Sequence, residues 1–147
     1  MKFLNTIFVL ILIGGTCAFA QNATSKNQKV WRVSEAYAVL VKEKAKAKGD
    51  LYEAEQKFTP QTLQFKTAAL RFALFNREIK KLSRTTARNA AEFSAAYGDL
   101  ILTKVQFEVE LYELRQRFTP EYIAVKKKRV ELQSLNSDLK QINKSFR

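Results

Sequence analysis

The sequence contains no histidine, one cysteine (Cys17), one methionine (Met1), two prolines and four glycines. Without histidine the chain lacks the commonest general base and the commonest metal ligand. So few glycines and prolines cannot supply the many tight turns of an all-β fold. A lone cysteine forms no intramolecular disulfide, so stability must come from packing. No glycine-rich phosphate loop occurs, and no glycine-rich turn or strand-loop context supports a Ser–Lys dyad. Carboxylates do pair, as Asp50 with Glu53 and Glu110 with Glu113. Four-helix di-iron sites, however, draw on Glu-x-x-His, which this chain cannot provide. We therefore expect a non-enzyme with no catalytic residue, no metal site and no cofactor.

What is present is charge and apolar periodicity. Across 147 residues, 26 Lys and Arg face 14 Asp and Glu, for a net charge of +12. The length suits one domain able to bury a core. Lys2, the mostly apolar stretch 3–13, Gly14-Gly15-Thr16-Cys17 and Ala18-Phe19-Ala20 form the n-region, h-region and small-residue site of a secretory signal peptide. The apolar run is short for a bilayer span, which needs about 20 residues. We expect cleavage after Ala20, which removes one basic residue and leaves +11. Lipidation at Cys17 is the alternative, against which Gly14-Gly15-Thr16 make a poor lipobox. Residues 21–29, QNATSKNQK, read as a flexible polar leader. Asn22-Ala23-Thr24 and Asn143-Lys144-Ser145 fit the glycosylation sequon.

The strongest internal signal is a duplication. LYEAEQKFTP at 51–60 returns as LYELRQRFTP at 111–120, and the 60-residue offset holds without a gap over most of the mature chain. Ser34, Tyr37, Leu40 and Lys44 match Ser94, Tyr97, Leu100 and Lys104. The chain thus holds two copies of one unit, at 30–86 and 87–147. Within each copy the apolar steps alternate three and four. One seam runs Val30, Val33, Tyr37, Leu40, Lys44, Ala47, Leu51, Ala54, Phe58, and its counterpart Ala90, Phe93, Tyr97, Leu100, Lys104, Phe107, Leu111, Leu114, Phe118. The following stretches repeat the pattern through Phe65, Ala68, Phe72, Phe75, Ile79, Leu82 and through Val125, Lys128, Leu132, Leu135, Leu139, Ile142. Such spacing keeps one face of a helix apolar.

Phe58-Thr59-Pro60 and Phe118-Thr119-Pro120 divide the copies and mark the hairpin turns. Proline lacks an amide hydrogen and bars helical geometry in the residue before it. The spacing predicts helices over 30–57, 60–85, 90–117 and 120–145, with Thr59 and Thr119 as caps and Asn89-Ala90-Ala91-Glu92 as a capping box. No Gly or Pro lies between 61 and 97, so the second and third helices could also be one rod. Gly49 and Gly98 fall inside predicted helices and mark either close helix approach or tolerated cost.

Lys44 and Lys104 interrupt the seams at matching places. They read as register-setting residues whose stems pack, or as buried amines able to bind an anion. Basic residues cluster at Lys80, Lys81, Arg84 and Arg88 and at Lys126, Lys127, Lys128 and Arg129, with a third group at Lys42, Lys44, Lys46 and Lys48. They are candidates for binding an acidic polymer, an anionic membrane surface or another partner. Secretion makes nucleic acid a poor partner. A solvated basic face is the bland reading. The recurring aromatics are core filling or an exposed strip.

The pattern Leu-Tyr-x5-Phe-Thr-Pro, followed by a basic helix with apolar heptads, resembles the coiled-coil helical hairpins of bacterial polysaccharide chain-length-determinant proteins. Those carry a Tyr-Thr-x-x-His-Pro-like break; here Phe58-Thr59-Pro60 and Phe118-Thr119-Pro120 occupy it without the His. The resemblance implies a periplasmic helical interaction element. In size, charge and secretion the chain is also similar to Skp-like periplasmic chaperones, though without their β-containing body.

Together these features predict an all-α, secreted or periplasmic protein of two duplicated antiparallel helical hairpins. The hairpins either close into an up-down four-helix bundle or extend as coiled coil that pairs with another chain, through self-association or a protein partner. The expected role is a scaffold or protein-interaction function; the alternative is a chaperone-like or polyanion-binding module at the cell envelope.

Overall fold

The computed structural model describes residue 32, residues 34–85 and residues 92–146. The expected signal peptide, Cys17, the leader, Arg88 and the start of the Asn89 capping box lie outside the described residues. Four helices carry the fold: α1 (Glu35–Lys57), α2 (Leu63–Leu82), α3 (Ala95–Arg117) and α4 (Ile123–Ser145). The fold is all-α, with the helices packed in antiparallel hairpins as the seams predict.

Each helix starts later than its apolar period suggests, for a local reason. Ser34 and Ser94 adopt extended backbone and their hydroxyls accept from the amides of Tyr37 and Tyr97. That satisfies one orphan amide donor in the first turn of α1 and of α3. Ser94 is the cap of α3, and α2 and α3 are separate helices, since α2 closes at Ser83. At the hairpin ends the caps are Thr62 and Tyr122, not Thr59 and Thr119. The Thr59 and Thr119 carbonyls instead accept from the amides of Thr62 (3.0 Å) and Tyr122 (3.1 Å). Pro60 and Pro120 thus occupy the second position of a β-turn, where their fixed φ is favourable, rather than the first turn of a helix.

The helix directions alternate, but the bundle is not evenly closed. Helix α3 packs against α1, α2 and α4, whereas α4 is covered chiefly by α3. Helices α1 and α3 run parallel, beginning where Gly98 meets Ala36. A Cβ built on Gly98 would stand 3.0 Å from Ala36 Cα, so glycine permits this approach. Gly49 faces open space and serves no such purpose. The two helix starts are tied together by Ala36 N–H to the Phe93 carbonyl (3.0 Å) and Ala95 N–H to Glu35 Oε2 (2.9 Å). The Glu35 carboxylate thereby sits on the positive end of α3.

The central place of α3 explains its burial. Besides the predicted seam it buries Ile101, Val105 and Val109, where the first copy has Val41, Ala45 and Gly49. Leu40 and Ala47 of α1, Leu74 and Phe75 of α2, and Leu135 and Leu139 of α4 complete the contiguous core. Each large apolar side chain buried there contributes about 1.5–3 kcal/mol. Phe93, Tyr97 and Phe146 close the base of the bundle, with ring centroids 5.5–5.8 Å apart. Since α3 antiparallels both α2 and α4 and parallels α1, both Phe-Thr-Pro ends lie at the opposite end. Ala54, Leu111 and Val125 are buried near those ends, outside the contiguous core.

Candidate functional site

Two features stand out from this frame: a charged cleft between α2, α3 and α4, and the apolar end of the second hairpin.

The cleft is organised by Glu78, which is 4% exposed, and Lys104, which is 7% exposed. Lys104 Nζ donates to Glu78 Oε1 at 2.9 Å. The same oxygen accepts from Lys81 Nζ at 3.1 Å and lies 2.8 Å from Arg77 Nη2. Arg77 also grips Glu108 through both carboxylate oxygens, at 2.7 and 2.6 Å. Burial opposes ionisation of Glu78, but Lys104 and Lys81 outweigh it and hold its carboxyl below the usual range. For Lys104, burial pushes the ammonium down while Glu78 resists. A carboxylate saturated by three cations is a poor proton acceptor near neutrality, so this network joins hairpins rather than relays protons. The surrounding cleft, about 230 Å³, is also lined by Tyr97, Asn136, Lys140 and Asn143. Tyr97 Oη donates to Asn143 Oδ1 at 2.9 Å, which commits the asparagine of the second sequon to packing. A larger groove of about 530 Å³ lies between α1, α2 and α3, floored by Ala47, Phe75 and Val105.

The two seam lysines therefore differ. Lys104 is the buried partner of Glu78, whereas Lys44 is half-buried with Nζ 5.8 Å from the Phe72 ring centre. Glu78 itself escapes the sequence reading, because its partner Lys104 lies on another helix; the matching carboxylate of the second copy, Asp138, is exposed.

The candidate basic residues are not brought to one place. Lys80, Lys81 and Arg84 lie at the base, by the C-terminus of α2, whereas Lys126–Arg129 lie near the hairpin end of α4. Lys128 turns inward, its Nζ 4.0 Å from the Phe107 ring centre and bonded to Glu110 (2.8 Å) and Glu131 (2.6 Å). Burial opposes the charge on Lys128, but these carboxylates hold its ammonium above the usual range. Arg129 is half-buried, and its Nε meets no hydrogen-bond partner among the described residues. Lys126 and Lys127 point outward, 2.6 Å from Glu121 and 3.9 Å from Glu131.

The turn residues Phe58, Thr59 and Pro60, and their counterparts Phe118, Thr119 and Pro120, are all exposed. At the second end Phe118 stacks on exposed Tyr122, with centroids 4.4 Å apart and planes 14° from parallel. Beside them Ile123 is 74% exposed and Val130 64%. The seams place Phe58 and Phe118 on the packed face, but each follows the last residue of its helix on extended backbone and is exposed, while Ile123 and Val130 lie off the seams.

No protein-family model, curated protein or solved structure matches this chain. Among the described residues, no helix is long and apolar enough to cross a membrane.

Proposed function

We propose that this protein is a non-enzymatic, secreted or periplasmic helical scaffold that makes its contacts through the ends of its two hairpins. The observation that carries this reading is the exposure of Phe58 at one end and of Phe118, Tyr122 and Ile123 at the other, on a chain whose seams are filled from within. Contiguous exposed apolar surface on a small folded chain marks an interaction site. The Phe-Thr-Pro likeness to periplasmic helical hairpins and the signal-peptide pattern support the location.

Photo-crosslinking side chains placed at Phe58 and Phe118, with one at exposed Lys48 as a control, test the reading in the native host. Adducts from the ends and none from the control are expected. Equal labelling at all three, or none at the ends, refutes it.

A chaperone-like or polyanion-binding role at the envelope is the second reading. It is favoured by Lys80, Arg84, Arg115 and Arg117, exposed cations that form no ion pair with the described residues. Suppression of client aggregation at near-stoichiometric ratios would support it over the scaffold.

A further inference from the structure

The two hairpin ends share a sequence pattern but not a surface. In the first copy, the positions matching Ile123 and Val130 are Leu63 and Leu70. Both are half-buried, and Leu70 packs against the core. The difference follows from the fold: α2 is wedged against both α1 and α3, whereas α4 has α3 as its main neighbour. The outer ridge of α4 is left uncovered, and two of its side chains are apolar.

Ile123, Lys126, Lys127 and Val130 are spaced three, four and seven apart, so they form one ridge along the first two turns of α4. All four are exposed. The ridge is about 10 Å long. It starts at the stacked Phe118–Tyr122 pair, and the last turn of α3, which leads into Phe118, carries exposed Arg115 and Arg117. Each ridge lysine has a carboxylate beside it, Glu121 at 2.6 Å from Lys126 and Glu131 at 3.9 Å from Lys127, whereas Arg115 and Arg117 form no ion pair with the described residues.

This composition separates two kinds of partner. Protein interfaces are depleted in lysine at their centres. Helices that lie on membranes combine apolar and aromatic side chains with Lys and Arg, whose stems add apolar contact while their heads reach phosphate. Tyrosine is enriched at headgroup depth. The charge is of the sign that anionic headgroups attract.

We propose that the α3–α4 end docks on an anionic lipid surface, with Tyr122, Ile123 and Val130 entering the headgroup boundary and Lys126 and Lys127 meeting lipid phosphates. The proposal rests on the reading of the hairpin ends as contact surfaces and names the partner of one of them. The Lys126–Glu121 pair is exposed and the Lys127–Glu131 contact is long, at 3.9 Å, and such pairs are readily exchanged for a phosphate.

Co-sedimentation with vesicles tests it, using phosphatidylcholine alone and phosphatidylcholine mixed equally with phosphatidylglycerol. The protein binds the mixed vesicles, not the neutral ones, and binding weakens as salt is raised. The double variant Lys126→Gln/Lys127→Gln binds about 25-fold more weakly, at about fivefold per cation. Ile123→Ser/Val130→Ser weakens binding about tenfold. Lys66→Gln, the matching cation of the first copy, leaves binding unchanged. All these side chains are exposed, so circular dichroism shows the same helix content in every variant. No binding to mixed vesicles at low salt overturns the proposal. So does full binding by Ile123→Ser/Val130→Ser with equal displacement by a soluble acidic polysaccharide, which would mark a polyanion site. Failure here with end-specific crosslinks intact removes the lipid partner and leaves the contact surface standing.

Discussion

Replacing Lys104 by Met should reveal how tightly the two hairpins are locked together. The substitution keeps the length and apolar stem of the side chain but removes the 2.9 Å bond to Glu78. Removing one partner of a buried pair typically costs about 3–5 kcal/mol, because the other charge remains desolvated. Glu78 retains Lys81 and Arg77, both more exposed, so we expect a loss at or just below the bottom of that range, about 2–3 kcal/mol. At about 4 °C per kcal/mol for a domain of this size, Tm falls by roughly 10 °C. The double variant Lys104→Met/Glu78→Leu replaces the pair by apolar groups and returns to within about 1 kcal/mol of the parent, or exceeds it. Lys44→Met, at the matching place in the first copy, costs less than about 1 kcal/mol, since its ammonium stands 5.8 Å from a ring centre and forms no ion pair with the described residues. Urea unfolding followed by far-UV circular dichroism measures all four chains. Equal losses from Lys104→Met and Lys44→Met, or a double variant worse than the single, would refute the argument.

Three further outcomes follow from the same structure. Gly98→Ala forces a Cβ against Ala36 and loses about 1–3 kcal/mol, while Gly49→Ala, in open space, gains about 1 kcal/mol; urea midpoints distinguish them. Since the carboxyl of Glu78 titrates lower in the folded chain than in the unfolded one, its stabilisation is complete above the unfolded value and drains as pH falls through the folded one. In Glu78→Gln the acid side of the stability–pH curve is therefore flatter, which thermal melts across acidic buffers will show. Ser94→Ala removes the cap that holds Tyr97 N–H and costs about 1 kcal/mol, read from the same unfolding assay.

Much of this architecture is written in the spacing of apolar residues. Leu40, Ala47, Phe75, Leu111, Leu135 and Leu139 are buried where the three-four steps place them. The Phe-Thr-Pro segments end α1 and α3 where expected, at Lys57 and Arg117. What the period could not show is which helix sits at the centre. The clue was present: Ile101, Val105 and Val109 make α3 apolar on a second side, as befits a helix covered from several directions. Reading both copies onto one seam hid it. The cap of α3 was legible too, since Ser94 stands one repeat from Ser34. Glu78 was not, because a carboxylate is read as solvated until its partners are known, and Lys104 lies 26 residues away on another helix. Likewise, the exposure of Ile123 and Val130 depends on which neighbours α4 lacks.

The lopsided role of α3 makes the two halves of this chain unequal as independent objects. Severed between the copies, the second half would carry its Ile101–Val105–Val109 ridge into water and seek another surface, while the first would lose the lid over Ala47 and Phe75. Duplication thus supplied two similar parts, and divergence turned one into the keel on which the other rides.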